Sequence, residues 1–240
     1  MDNVKISTPR SIFSTGDLSF DNCTIAGSEY DGVTSDGVVI LTNSLISNSG
    51  EIGINAPGTI TLTNSEVSNS GSAGIFTEST VTLTSSQVFN NSGNGIDAND
   101  DVTLTASQVW GNIGHGISVS GGDVMLYQSF VNNNTSNGIT TNHAVVLDNA
   151  VVAYNGNHGI NITGNNFSII ENSIIWHNDN SDHQQISLSN GIVNTTYSNV
   201  QGLSSFGTTG DGQFVWGAGC IESNPVFNDS SGTLSANSPC

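Results

Sequence analysis

The chain is almost without positive charge. Of its 240 residues only Lys5 and Arg10 are cationic, against 20 carboxylates, giving a formal charge of −18 at pH 7. Nucleic-acid backbones are held mainly by Lys and Arg that neutralise phosphate, so a chain with no such residue after position 10 is excluded from DNA or RNA binding. The same shortage excludes a docking surface for anionic membranes. Charge of either sign is scarce, at 9% of residues, and Gly, Ser, Thr and Asn are abundant, a mixture that by itself would suit disorder. But 35% of the residues are apolar and they recur in order, so there is a core to bury. Long apolar runs are missing too, since none approaches the roughly 18 uninterrupted residues that span a bilayer. The three cysteines form no C-x-x-C and no Cys/His metal spacing.

What is present repeats. The dipeptide Gly-Ile stands at Gly53, Gly74, Gly95, Gly116, Gly138 and Gly159, in steps of 21, 21, 21, 22 and 21 residues, and Gly32-Val33 and Ser11-Ile12 carry it back by 21 each. A fixed period overrides any domain count drawn from length. Eight units therefore run from residue 11 to about residue 178.

Aligned on this period, the units form columns. One aliphatic row is Ile12, Val33, Ile54, Ile75, Ile96, Ile117, Ile139 and Ile160; a second runs Phe20, Leu41, Leu62, Leu83, Leu104, Leu126, Leu147 and Ile170; a third runs Ile25, Ile46, Val67, Val88, Val109, Val131, Val152 and Ile175. Between them lies a small-residue column, Cys23, Ser44, Ser65, Ser86, Ser107, Ser129, Ala150 and Ser173. Alternation such as Thr59-Ile60-Thr61-Leu62-Thr63 has period 2, so the units are built of short strands with alternate residues inward, and helix-period runs are absent. Short strands recurring every 21 to 23 residues predict an all-β parallel solenoid with three strands per coil. Stacked at about 4.8 Å, eight coils make a rod of roughly 38 Å. The column Asn91, Asn112, Asn134, Asn155 and Asn178 predicts a ladder of side-chain amides from coil to coil. The recurring Gly marks either a positive φ or a close backbone approach.

These units resemble the right-handed parallel β-helix repeat family, whose coils often read N-x-x-x-x-x-G-I. Asn91-Ser92-Gly93-Asn94-Gly95-Ile96 and Asn155-Gly156-Asn157-His158-Gly159-Ile160 carry the likeness. The end of the chain, SIIWHN (173–178), TYSNVQG (196–202) and ESNPVFNDSSGTLSANSPC (222–240), is similar to the closing segment of a group of secreted bacterial β-helix proteins, with Asn-Pro-Val-Phe in place of their Asp-Pro-Leu-Phe. The resemblance implies a right-handed single-stranded β-helix at a bacterial cell surface or outside the cell. It implies architecture rather than chemistry, because the fold hosts lyases, hydrolases, epimerases, adhesins and passive stalks.

Three segments follow: a lead-in over 1–10, coils over 11–184, and irregular last coils with a C-terminal cap over 185–240. A solenoid exposes strand edges and apolar rows at its ends. The absence of an amphipathic cap in the lead-in leads us to expect that the chain is part of a longer one. Cys23, in the small-residue column, is expected to be a buried thiol. Cys220 and Cys240 both fall in the closing segment, where a disulfide between them would suit an oxidising compartment.

Carboxylates are densest at Asp97, Asp100, Asp101 and Asp123. Stacking places Asp101 and Asp123 in one column of adjacent coils, with His143 in the column of Asp100. Paired carboxylates about 5 Å apart can serve a retaining glycosidase, which makes these four the candidate catalytic residues. Asp100, Asp101 and Asp123 are also candidate oxygen ligands for Ca²⁺. Against both stands the preference of turns for Asp and Asn on backbone grounds alone. The GHGIS stretch at 114–118 is similar to the Gly-His-Gly signature of polygalacturonases, but Asp101 and His115 are only 14 residues apart, less than one coil. His115 belongs instead to a turn column with Asn94, Asn137 and His158. Uronate lyases and epimerases commonly need a basic residue to neutralise the substrate, and no coil supplies one.

Two further patterns point to surfaces. The outward threonines, among them Thr61, Thr82 and Thr103, form the kind of lattice that ice-binding solenoids present; they equally suit an exposed strand face. Phe76, Phe89, Trp110, Phe130 and Tyr154 are aromatics that can stack on sugar rings, and Phe89 and Trp110 fall in one column and form a candidate strip. The features together read as a structural or binding module that requires no cofactor, with Ca²⁺ as a candidate ligand only, and that contacts a polysaccharide or cell-surface partner. A polysaccharide-active enzyme using the acidic face is the rival reading, and an ice-binding solenoid the third.

Overall fold

A computed structural model describes residues 4–7, 10–178, 184–202, 211–228 and 234–239. Three parallel sheets wind into nine turns. Sheet I has nine strands, from Ile12–Ser14 to Ile186–Leu188; sheet II has ten, from Leu18–Asp21 to Gln213–Trp216; sheet III has ten, from Val4–Ser7 to Asn199–Val200. Each coil visits I, II and III in that order, and register is kept residue for residue, as in Val81↔Val102, Thr82↔Thr103, Leu83↔Leu104 and Thr84↔Thr105. The expected architecture is therefore observed, with one turn more than the eight units of strict period.

The three aliphatic rows are the core. From Val33, Leu41 and Ile25 onward they are at most 1% exposed. Each such side chain contributes about 1.5–3 kcal/mol relative to an exposed one. A slip of one residue would turn every inward side chain to solvent, which is why so short a strand holds its register.

Polar columns hold the corners. In the Asn column each Oδ1 accepts both the backbone N–H and the Nδ2–H of the Asn one coil earlier: Asn91 on Asn112, Asn112 on Asn134, Asn134 on Asn155 and Asn155 on Asn178, with Nδ2 to Oδ1 distances of 2.8–2.9 Å. In the small-residue column each Ser hydroxyl donates to the carbonyl two residues before it and accepts the N–H of the preceding coil, as Ser86 does with Thr84 O at 2.8 Å and Ser65 N at 3.1 Å. Cys23 begins this column but is half-buried, not buried as expected, because it lies near the end of the rod with fewer neighbours; its Sγ–H donates to Asp21 O at 3.3 Å.

Two columns of left-handed residues make the bends. One joins sheets II and III through Asn22, Asn43, Asn64, Ser85, Ala106, Gln128, Asn149, Asn172 and Tyr197, with φ of 47–55°. The other follows sheet III through Gly27, Asn48, Asn69, Asn90, Gly111, Asn133, Tyr154, His177 and Gly202. The recurring Gly of the repeat is in neither column. A Cβ on Gly95 would lie 2.6 Å from Val109 Cγ1 and 2.7 Å from Gly116 O, so close approach, not positive φ, explains it.

The lead-in contributes a strand, Val4–Ser7, paired with Cys23–Ala26. Regular coiling also runs past residue 184, where Gln185 replaces the Gly of the dipeptide and its Oε1 extends the amide ladder from Asn178 at 2.8 Å. The closing segment covers a side of the rod: Phe227 and Leu234 form an antiparallel bridge and pack on Val151, Ala153, Ile174 and Trp176 outside sheet III. Cys220 Sγ donates to Thr195 O at 3.2 Å; its expected partner Cys240 lies outside the described residues.

Candidate functional site

The acidic candidates lie along the turn between sheets I and II. Asp101 and Asp123 do share a column, one residue before the strands Val102–Thr105 and Val124–Tyr127. Each carboxylate caps the coil above: Asp101 Oδ1 accepts from Asp123 N at 2.8 Å, and Asp123 Oδ1 from Ala144 N at 3.0 Å. Asp17 does the same for Val38 N at 2.8 Å. Asp100 is exposed and accepts from Asp101 N at 3.0 Å. His143 lies in the column of Asp100, its Nδ1 3.7 Å from Asp123 Oδ1. Asp97 stands apart, outward on sheet I between Phe76 and Ser118, with Oδ2 accepting from Asn94 Nδ2 at 3.2 Å. Among the described residues no three His, Cys, Asp or Glu side chains gather closely enough to hold a metal ion.

His115 takes its place in a turn ladder. Its backbone N–H donates to Asn94 Oδ1 at 2.9 Å, its Nδ1 accepts from Asn137 N at 3.2 Å, and Asn137 Oδ1 accepts from His158 N at 3.1 Å. A ring nitrogen that accepts an amide hydrogen has no proton of its own, so the neutral ring carries its hydrogen on Nε2. Burial pushes the imidazole pKa down from 6.5, and the nearby Asp97 carboxylate opposes that shift.

The surface patterns are more regular. Thr61, Thr82 and Thr103 are in register on the outside of sheet II, beside Thr63, Thr84 and Thr105, and the lattice ends at Met125 and Tyr127. On sheet III, Phe89 and Trp110 stack with centroids 4.6 Å apart and planes 3° from parallel. Phe130 lies two columns away and joins the cluster under the closing segment.

Sequence reasoning named Tyr154, two coils beyond Trp110, as an aromatic able to stack on a sugar but missed the cluster around it. Tyr154 and His177 stack at 5.3 Å and 17°, Trp176 meets His177 edge-on at 6.1 Å, and Phe227 leans on Tyr154 at 5.5 Å. Beside them opens a cleft of about 570 Å³ lined by Asn133, Tyr154, Asn155, His177 and Gln201. The available signal was the left-handed column itself, Asn or Gly in every other coil. Its aromatic interruption becomes visible only once the bend is known. A second cleft of about 450 Å³ lies under the closing segment, between Tyr197, Asn199, Ile221 and Leu234.

Parallel coils, inward aliphatic rows and stacked amide ladders define a β-helix. A family model described as right handed beta helix region matches residues 10–135, and the chain belongs to that family. Among solved structures it is similar to the A-module of the Azotobacter vinelandii mannuronan C-5 epimerase AlgE6, at 13% identity and a TM-score of 0.61, over 92% of this chain and 78% of that one. The AlgE4 A-module from the same organism matches at 12% identity and 0.51, over 92% and 81%. Pectate lyase Pel9A matches at 14% and 0.52, over 98% and 80%. At these identities the likeness establishes the fold. No curated protein sequence matches the chain. Among the described residues no helix is long and apolar enough to cross a membrane.

Proposed function

We propose that the protein is a carbohydrate-contacting β-helix module, secreted or displayed at a cell surface, that holds glycan against the outside of sheet III. The stacked Phe89–Trp110 pair carries this reading. Two parallel rings stacked on each other along a rigid sheet make a preordered aromatic ridge for the apolar face of a sugar, so little side-chain freedom is lost on binding. The named activities of the similar structures, on mannuronan and on pectate, support carbohydrate as the ligand class. The lack of cations beyond Arg10 favours a neutral glycan over a uronate. The test is affinity electrophoresis on neutral polysaccharides together with Trp fluorescence. Trp110→Ala is expected to weaken binding about tenfold, equivalent to about 1.4 kcal/mol; unchanged retardation would overturn the reading.

The enzyme reading rests on Asp97, Asp100, Asp101 and Asp123. Asp101 and Asp123 already serve backbone amides, so the combined Asp101→Asn and Asp123→Asn variant preserves those acceptors and isolates chemistry. Loss of glycan cleavage products in that variant, with the fold intact, would support catalysis and displace the binding-module reading.

A further inference from the structure

We infer that the cleft beside Tyr154 and His177 is a second sugar subsite, which takes a neutral pyranose of the same glycan that lies on Trp110. This rests on the proposed function and extends it. The bend after sheet III is left-handed in every coil from Gly27 to Gly202, and Gly or Asn fills it everywhere except at Tyr154 and His177, with φ of 56° each. Large side chains are uncommon at such φ, and strained residues gather at binding sites. Here two consecutive coils accept that strain, and the product is a pair of stacked rings at the mouth of a cleft of about 570 Å³.

The chemistry of the walls selects the ligand. Tyr154 and His177 line the cleft with rings stacked on each other, while Asn133 and Gln201 line it with amides, the Gln201 Oε1 accepting from His177 N at 2.7 Å. Flat rings beside amides suit a sugar, whose ring has an apolar face and a hydroxylated edge. No Lys or Arg lines the cleft, so a carboxylated sugar would enter without a counter-charge. Tyr154 lies two coils from Trp110, about 10 Å at the inter-strand spacing. A short oligosaccharide along the rod axis can therefore reach both, and joining two weak contacts on one ligand raises affinity without any new contact.

The experiment is an NMR titration of the full chain with cello-, manno- and xylo-oligosaccharides from disaccharide to hexasaccharide, with oligogalacturonate as the charged control. The wild type is expected to gain at least tenfold in affinity once the chain is long enough to bridge Trp110 and Tyr154, with shifts at both, and to bind oligogalacturonate at least tenfold more weakly than a neutral chain of equal length. Tyr154→Asn combined with His177→Asn installs the usual residue of the column, so the fold is kept, as far-UV circular dichroism would verify. That variant is expected to lose the gain with length while retaining short-chain binding at Trp110. Retention of the full gain would overturn the subsite, as would equal binding of oligogalacturonate. Absence of any Trp110-dependent binding in the wild type would overturn the proposed function itself.

Discussion

At the scale of single residues, many of the described polar side chains answer to a neighbour one coil away. His115 is the sharpest case, because its Nδ1 accepts the Asn137 N–H and burial lowers its pKa. Below pH 6.5 the unfolded chain binds a proton that the folded chain resists, so stability falls with pH. The contribution is complete above pH 6.5 and is lost as pH drops from there through the lowered folded value. Urea midpoints measured between pH 7.5 and about 5 are expected to show this decline. His115→Asn, which installs the residue found at Asn94 and Asn137, is expected to flatten it.

The hydroxyl ladder makes a second residue-scale prediction. Ala150 interrupts it, leaving the Ser129 N–H without the acceptor that Ser173 gives Ala150 at 3.1 Å. Ala150→Ser is expected to raise stability by about 0.5–1.5 kcal/mol, and Ser86→Ala to lower it by about 1–3 kcal/mol, since the buried Ser65 N–H would lose its partner. Chemical denaturation of the two variants beside the wild type reads both.

At the scale of the element, each coil is a triangle whose sides are set by alternation and whose corners are set by left-handed residues, polar ladders and, at the recurring Gly, close packing. The aliphatic rows were legible because period 2 within a strand and period 21 between coils both act on the same side chains. The Asn ladder was legible because one amide can donate and accept at once, so only Asn or Gln continues it, and Gln185 does so. The recurring Gly was legible as special but not as to cause: a letter G does not separate positive φ from a crowded contact. The structure predicts opposite outcomes at two such residues. Gly95→Ala forces a Cβ to 2.6 Å from Val109 and is expected to cost about 1–3 kcal/mol by overpacking. Gly27 has positive φ and open space, so Gly27→Asn, the usual residue of its column, is expected to leave the thermal midpoint nearly unchanged.

The acidic face shows why sites were harder to read than strands. Asp101 and Asp123 were placed correctly in one column, yet their role as acceptors for Asp123 N and Ala144 N depends on side-chain direction, which spacing does not carry. The cleft at Tyr154 was missed for a related reason: one wall, Tyr154 stacked on His177, spans 23 residues, and Phe227 arrives from a segment with no period at all.

At the scale of the whole molecule, the shortage of cations governs behaviour in solution. A charge of −18 on a rod whose only cations are Lys5 and Arg10 repels itself at low ionic strength. Added NaCl screens that repulsion, with a Debye length of about 10 Å at 0.1 M. The thermal midpoint is therefore expected to rise between about 0.01 and 0.2 M NaCl, and a differential scanning calorimetry series checks it.

The sequence by itself determined the solenoid, its three faces, its core rows and its amide ladder, because a repeat makes every coil the nearest neighbour of the next and so turns spacing into contact. Only the tertiary structure decided which carboxylates cap backbone amides, how the closing segment lies along sheet III, and that Tyr154, His177 and Phe227 meet. Those outcomes depend on bend geometry and on contacts between segments of no common period, and a one-dimensional pattern holds no record of either.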